Sequence, residues 1–358
     1  MAKLRIGIIG TGGVANAHMN NYKKVENAVV VAGCDIVPGR TAEFFKRHEM
    51  PDALAFESAE EMLERVELDA VSVCTYAAAH AKCAILALEH GLPVLLEKPM
   101  CVTLDEAKAI VAAEKKSGKF VTVGFQPRYD PNVRHIKQII ESGALGKVYY
   151  IQTGGGRPNN IPGNLTFLTK ETAGGGSVSD AGCYPIDLAL NSVGNPKPLT
   201  VSATLTTYFG NDPKYCPPVF ADKLDVDDFS TAYVRLEGGI VLDYRMSWFM
   251  HMDTAGDFLF LGTEAGLKIK QSGPVGAWDG SMGSITLFKW VDGKLEQTDI
   301  PLLPPEDFWF YKVNDFVQAV ASGNNIAPIP TSQIIYNQAI IDGIMRSSAL
   351  GREVECVF

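Results

Sequence analysis

Three polar residues of this 358-residue chain have the spacing of a proton-handling group. Asp180, Tyr184 and Asp187 stand at i, i+4 and i+7, so a helix there would carry them on one face. An aspartate and a tyrosine one turn apart can hold and pass a proton. The same spacing also suits an amphipathic helix whose polar side meets water. A lysine adds charge from elsewhere in the chain. Lys98 lies between Glu97 and Pro99, directly after the apolar run 93–96. Pro99 restricts the backbone before it. An ammonium held there can bind an oxygen and stabilise negative charge developing on it. A plain surface lysine at a strand end would read the same way.

A second constellation points to phosphate. Gly10, Gly12, Gly13, Val14 and Ala15 belong to Gly-Thr-Gly-Gly-Val-Ala, between the apolar run 4–9 and a helical segment. Gly10 permits a tight turn, Gly12 lets the backbone approach a pyrophosphate, and Ala15 lets the helix pack close to the strand. The helix N-terminus then offers unpaired N–H groups to the phosphates. Asp35 ends the next apolar run, 20 residues after Ala15. A carboxylate there can accept both ribose hydroxyls of an adenosine. It also repels a 2′-phosphate, and Ile36 cannot compensate. NAD is therefore expected in preference to NADP. Arg40 weakens the preference, since it can swing toward a phosphate or stack on adenine.

These residues need a scaffold. Runs 4–9, 29–34, 69–74, 93–96 and 120–123 are short, apolar and rich in β-branched residues, as buried parallel strands are. Helical segments lie between them, two with capping-box starts, Ser58 with Glu61 and Thr103 with Glu106. Such a βαβ series predicts a Rossmann, doubly wound parallel sheet over residues 1–125. The remainder, 126–358, changes character. A helix starts at Asp130-Pro131 and ends near Ser142-Gly143. Candidate strands follow at 148–153, 199–209, 229–237, 240–249, 257–261, 266–270 and 284–290. Glu237-Gly238-Gly239-Ile240 reads as a hairpin turn. Two helices close the chain, about 306–321 and 332–350, and their apolar stripes suit core packing, including a return onto the Rossmann domain. The fold class is α/β followed by an antiparallel α+β domain. The glycine-rich stretch 154–176 suits an active-site loop.

The bulk properties narrow the partners. Hydrophobic residues make up 46% and charged residues 20%, enough apolar surface to order the chain. A net charge of −9 with no basic run argues against nucleic acid. No stretch approaches the roughly 20 apolar residues of a membrane span, and no signal peptide is expected, so a cytoplasmic protein is predicted. The seven cysteines are odd in number and form no CxxC pair, which favours buried thiols. The six histidines have no ligand spacing, so no metal is implied.

Taken with 123–129 (Val-Gly-Phe-Gln-Pro-Arg-Tyr), 142–148 (Ser-Gly-Ala-Leu-Gly-Lys-Val) and the Gly174-Gly175-Gly176…Asp180…Asp187 stretch, the chain resembles the glucose–fructose oxidoreductase/inositol dehydrogenase (Gfo/Idh/MocA) family. The resemblance covers nearly the whole chain. It implies that the second domain carries an open sheet, whose exposed face makes homodimers or homotetramers in many relatives. Lys98 matches the family's catalytic lysine and Asp180 its aspartate. The residue four after that aspartate is commonly histidine; here it is Tyr184. Thr75 and His80 match a loop near the cofactor, and Glu97 and Gln126 belong to motifs bordering it.

The activity so implied is reversible oxidation of a secondary alcohol on a sugar, cyclitol or related polyol, with hydride passing to NAD. Tyr184 would carry the proton while Lys98 binds the same oxygen, or the two roles would be exchanged; Asp180 would orient either group. Arg128, Arg157, Asn164 and Trp248 are further candidates for the substrate pocket, Trp248 also suiting plain core. Rival readings are an NAD-using glycosidase or lyase and a non-catalytic dinucleotide sensor.

Overall fold

The computed structural model describes residues 3–156, 158–271 and 282–358. They form two compact units: residues 1–126 with 307–335, and residues 127–306 with 336–358.

In the first unit, β1 (Leu4–Ile9), β2 (Ala28–Cys34), β3 (Leu54–Phe56), β4 (Ala70–Val73), β5 (Val94–Leu96) and β6 (Val121–Val123) form one sheet in the order β3-β2-β1-β4-β5-β6. Every pair is parallel. β1, β2, β4, β5 and β6 fall on the five expected runs. β3 was not expected; three residues at a sheet edge are too few to show a period. The order reverses direction after β1, which leaves a crevice at the carboxyl ends of β1 and β4.

The helices start where side chains cap them. Thr103 and Glu106 complete a capping box, whereas Ser58 only accepts from the Glu61 N–H. The helix Phe308–Ser322 returns to this unit. Its Val313, Phe316 and Val317 are fully buried with Ile6, Ile8, Ala15, Met19 and Phe44. Each such side chain contributes roughly 1.5–3 kcal/mol through burial, so this late segment is part of the first unit's core.

The second unit holds β7 (Val148–Gln152), β8 (Pro198–Thr206), β9 (Phe229–Leu236), β10 (Ile240–Ser247), β11 (Phe258–Gly262), β12 (Gly266–Gln271), β13 (Met282–Val291), β14 (Lys294–Ile300) and β15 (Val354–Glu355). They order as β14-β13-β12-β11-β7-β10-β9-β8-β15. β7 and β10 are parallel; the other pairs are antiparallel. The β9–β10 hairpin turns at Gly238 and Gly239, both with positive φ, as their sequence predicts. β9 alternates buried Ser230, Ala232, Val234 and Leu236 with more exposed neighbours, the pattern of a sheet covered on one face. The helix Pro131–Glu141 begins as expected, with Asp130 capping the Asn132 and Val133 N–H groups.

No helix among the described residues is long and apolar enough to cross a membrane. All seven cysteines are free thiols, and only Cys83 is not buried.

Candidate active site

The candidate residues divide between the two units. In the first, they cluster at the carboxyl ends of the strands. Gly10 follows β1 with φ of 87°. A Cβ there would stand 2.8 Å from the Thr75 nitrogen and 2.9 Å from the Cys74 carbonyl carbon, so only glycine fits beside the end of β4. Gly12 and Gly13 are different. A Cβ on either meets no protein atom within 4 Å. Gly12 is the N-cap of the helix Gly13–Tyr22 and supplies no capping side chain. The helix thus opens with bare N–H groups and clear space before them, where an anion is favoured.

Asp35 follows β2. Its Oδ2 accepts from the Thr11 N–H at 2.9 Å and its Oδ1 from the Val37 N–H at 3.0 Å. The Arg40 guanidinium, about half exposed, lies 3.2 Å from the same carboxylate. Thr75 follows β4, and its Oγ1 is buried without a hydrogen-bond partner. Such an orphan calls for a ligand or water. The open cradle at Gly12–Gly13, the ribose-type carboxylate and the orphaned hydroxyl together fit a dinucleotide.

Glu97 and His80, expected near the cofactor, are both buried, at 4% and 1% exposure. His80 Nδ1 lies 2.7 Å from the Pro99 carbonyl and Nε2 3.1 Å from the Thr75 carbonyl. It ties the backbone after Lys98 to the loop after β4. Lys98 itself is partly exposed, with a cis bond to Pro99. Glu97 Oε1 accepts from His18 Nε2 at 2.7 Å and from the Lys312 ammonium. Gln126 is buried at the end of this unit.

This polar cluster has one consistent proton arrangement. Burial alone would raise the Glu97 carboxyl; Lys312 and His18 outweigh it and hold the group well below the usual carboxylate range. Burial and the Lys312 charge keep His18 neutral. With Nε2–H donated to Glu97, Nδ1 accepts from the Ser72 hydroxyl at 3.2 Å. Ser72 then accepts from the Tyr22 hydroxyl at 2.7 Å. None of His18, Ser72, Tyr22 or Lys312 was singled out from sequence. The available signals were His18 in the first turns after the glycine loop and Lys312 as a lone cation among the apolar residues 308–317.

In the second unit, the single helix face expected for Asp180, Tyr184 and Asp187 is not formed. The segment breaks into Ser177–Asp180 and Cys183–Ser192. The Gly182 N–H reaches back to the Ser177 carbonyl, one residue beyond a regular turn. The break lies where the backbone rests on the sheet: a Cβ at Gly182 would sit 1.9 Å from the Tyr244 hydroxyl. Asp180 thus closes the first piece, while Tyr184 and Asp187 lie in the second. Asp180 accepts from the Trp248 indole N–H at 3.2 Å. Asp187 takes a bidentate grip from Arg128, at 2.9 and 2.7 Å, with both side chains nearly buried. That pairing engages the guanidinium of Arg128, a substrate-pocket candidate, with Asp187. Tyr184 is partly exposed in the first turn of the second helix.

The turn carrying Asp180 is itself anchored. Asp227 is buried and accepts from the Gly176 N–H at 2.7 Å, the Val178 N–H at 3.0 Å and the Ser177 hydroxyl at 2.6 Å. A Cβ at Gly176 would lie 1.9 Å from the Asp227 carbonyl oxygen. Gly175 and Gly176 are thus packing positions and not a loose loop. Trp248 is fully buried with Leu168, Leu224 and Val226, so it joins the core and the Asp180 carboxylate at once. Asn164 is exposed, and its side chain caps the short helix Leu165–Leu168. Arg157 lies outside the described residues. Among the described residues no group of His, Cys, Asp or Glu could hold a metal ion.

Comparison with known proteins places this architecture. A family model described as "Oxidoreductase family, NAD-binding Rossmann fold" matches residues 4–125, and a GFO/IDH/MocA C-terminal domain matches residues 133–268. The chain belongs to the Gfo/Idh/MocA oxidoreductase family. Within it, the chain is similar to D-glucoside 3-dehydrogenase of Escherichia coli, 30% identical over 56% of this chain and 57% of the relative. Inositol 2-dehydrogenase of Paracoccus denitrificans is 34% identical over 38% of this chain and 41% of its own length. These matches span about half the length of the curated relatives. The fold is also that of a levoglucosan dehydrogenase solved with NADH and levoglucosan. That structure has a TM-score of 0.81 and 22% identity, covering 99% of this chain and 100% of its own.

Proposed function

We propose that this Gfo/Idh/MocA member is an NAD-dependent dehydrogenase that oxidises a secondary alcohol of a sugar, cyclitol or related polyol, or reduces the matching ketone. The observation that carries the reading is the gathering of the open Gly12–Gly13 cradle, Asp35, Thr75 and Lys98 at the strand ends of one sheet. The named activities of the relatives, on glucosides and inositol, support the substrate class.

The backbone N–H groups at Gly13 and after would hold the pyrophosphate, and Asp35 the adenosine ribose. Bound NAD supplies the hydride acceptor. Asp35 favours NAD over NADP, because a 2′-phosphate would meet its carboxylate; Arg40, already paired with Asp35, stabilises that carboxylate where it stands. The substrate hydroxyl must lose its proton as its carbon gives up hydride. Lys98 binds that oxygen and stabilises the developing charge, and Tyr184 takes the proton. Asp180, held by Trp248, orients the substrate hydroxyls. The exposed Tyr149, Tyr233 and Trp290 of the second unit's sheet strands suit assembly into a homo-oligomer.

The test is a panel of polyols and sugars followed by NADH absorbance, with wild type, Lys98→Ala and Tyr184→Phe. Lys98→Ala should lose at least about a thousandfold in kcat/KM while still binding NADH. Tyr184→Phe should lose about a hundredfold or more. Full activity of Tyr184→Phe across pH would remove the tyrosine from proton transfer. NADH binding with no turnover on any member of the panel would sink the dehydrogenase reading.

A further inference from the structure

The charge cluster beneath Lys98 contains a cation that neither cofactor nor substrate accounts for. Lys312 is 2% exposed, sits on the returning helix Phe308–Ser322, and places its ammonium on Glu97 Oε1 and over the Trp309 ring at 4.0 Å. A buried ion pair gives little stability over an apolar pair of the same shape. Its retention is better explained by what it controls, and one atom connects it to the site: the other Glu97 oxygen accepts from the Lys98 backbone N–H at 3.4 Å. Glycine at 124 leaves space for this carboxylate, since a Cβ there would stand 3.0 Å from Oε1.

We propose that Lys312 is a positioning residue for Lys98, acting through Glu97 to set the place and the proton affinity of the Lys98 amine. The proposal rests on the reading of Lys98 as the residue that binds the reacting oxygen. Glu97 is one residue from that amine. If its negative charge lacked a counter-ion, the charge would draw the Lys98 ammonium toward the protein interior and bind its proton more tightly. With Lys312 and the neutral His18 satisfying Oε1, the local charge is balanced before any ligand arrives. The groups facing Glu97 are His18 and, through Ser72, Tyr22 from the glycine-loop helix; Cys74 after β4; His80 from the helix Ala77–Glu89; Lys98; and Lys312. Only Lys312 among them brings the full positive charge to Oε1 without itself belonging to the proposed chemistry.

The amine can be read without turnover. Trace acylation with acetic anhydride at several pH values, with Lys98 quantified by mass spectrometry, reports its proton affinity. Lys312→Met should slow Lys98 labelling about tenfold at neutral pH, since an unpaired carboxylate favours the ammonium form by about one pKa unit or more. Glu97→Gln leaves Lys312 as the unpaired charge and should speed labelling by a similar factor. The double variant Glu97→Gln/Lys312→Met, neutral on both sides, should return within about threefold of wild type, as should Lys312→Arg. NADH binding by fluorescence titration should stay within about threefold throughout. A purely structural role would not produce shifts of opposite sign.

Unchanged labelling in folded Lys312→Met protein overturns the proposal, and so does a double variant as slow as Lys312→Met. If Lys312→Met does not fold, Glu97→Gln against the double variant decides it, equal labelling in the two overturning it. Because no step requires turnover, opposite labelling shifts in a protein without dehydrogenase activity would sink the proposed function and leave this coupling standing.

Discussion

The two units prepare their polar groups in different ways. In the first, backbone and small residues at strand ends border open space, and charges are buried. Gly12 and Gly13 face open space while Glu97, His18 and Lys312 are sealed below. In the second, the candidate carboxylate, Asp180, is presented by a broken helix whose position depends on a remote strand. Asp180 is held by Trp248 from just beyond β10, and the turn before it by Asp227 just before β9. The first arrangement comes from a local motif and the second from packing. The difference predicts that substitutions in the first unit separate ligand binding from stability, whereas those in the second disturb both.

A pair of glycine substitutions puts the largest expected effect on that contrast. Gly176→Ala drives a methyl to within 1.9 Å of the Asp227 carbonyl oxygen. It should lower stability by about 3 kcal/mol, and activity with it. Gly12→Ala meets no protein atom, and its φ of −79° suits any residue. It should change stability by less than about 1 kcal/mol while weakening NADH binding about tenfold or more. Denaturant unfolding and NADH titration of both variants check this. A destabilised Gly12→Ala protein with normal NADH affinity would break the comparison.

A smaller effect is expected one bond away from Asp180. Trp248→Phe keeps an aromatic ring among Leu168, Leu224 and Val226 but removes the indole N–H from the carboxylate. Hydrogen bonds to charged groups are worth about 1.5–3 kcal/mol. The variant should lose roughly tenfold in kcat/KM on whichever polyol the panel identifies. A loss confined to thermal stability, with kcat/KM intact, would make Trp248 core alone.

The same contrast governs what was legible in the sequence. The glycine loop, Asp35 and the Asp130 and Thr103 caps could be read because their geometry is set by residues within a few positions. β14 went unread because Lys294–Ile300 is exposed almost throughout and shows no alternation. β15 is two residues long and exists only through its pairing with β8. The run 199–209 ends early, at Thr206, where the chain leaves the ladder. The helix break between Asp180 and Tyr184 is set by Tyr244, sixty positions on, and no local pattern carries that contact. Lys312 was hidden for the same reason: an apolar helical stripe gives no hint that its one lysine turns inward to Glu97. Features set by local backbone geometry were legible; residues placed by tertiary packing were not.

The finest distinction between the units is their response to acid. His18 and His80 in the first unit both titrate below the ordinary value of 6.5, chiefly because burial disfavours the imidazolium. Below pH 6.5 the unfolded chain takes up protons at these positions and the folded chain does not, so stability falls with falling pH. Each group contributes a slope of about 1.4 kcal/mol per pH unit in that window. Asp227 in the second unit has the opposite sign. Burial raises its carboxyl above 3.8 despite its three donors. The folded form therefore binds that proton more readily than the unfolded form, and acid relieves the second unit while it strains the first. Hydrogen exchange read by mass spectrometry between pH 7.5 and 5.5, corrected for intrinsic rates, reports each unit separately. Protection should fall in β1, β4 and the helix Gly13–Tyr22 and hold in β9 and β10. His18→Asn, which cannot titrate, should flatten the first unit's slope by about one proton's worth. Equal loss of protection in both units would mean that the buried histidines do not set the acid response, and the electrostatic half of the comparison would fall with them.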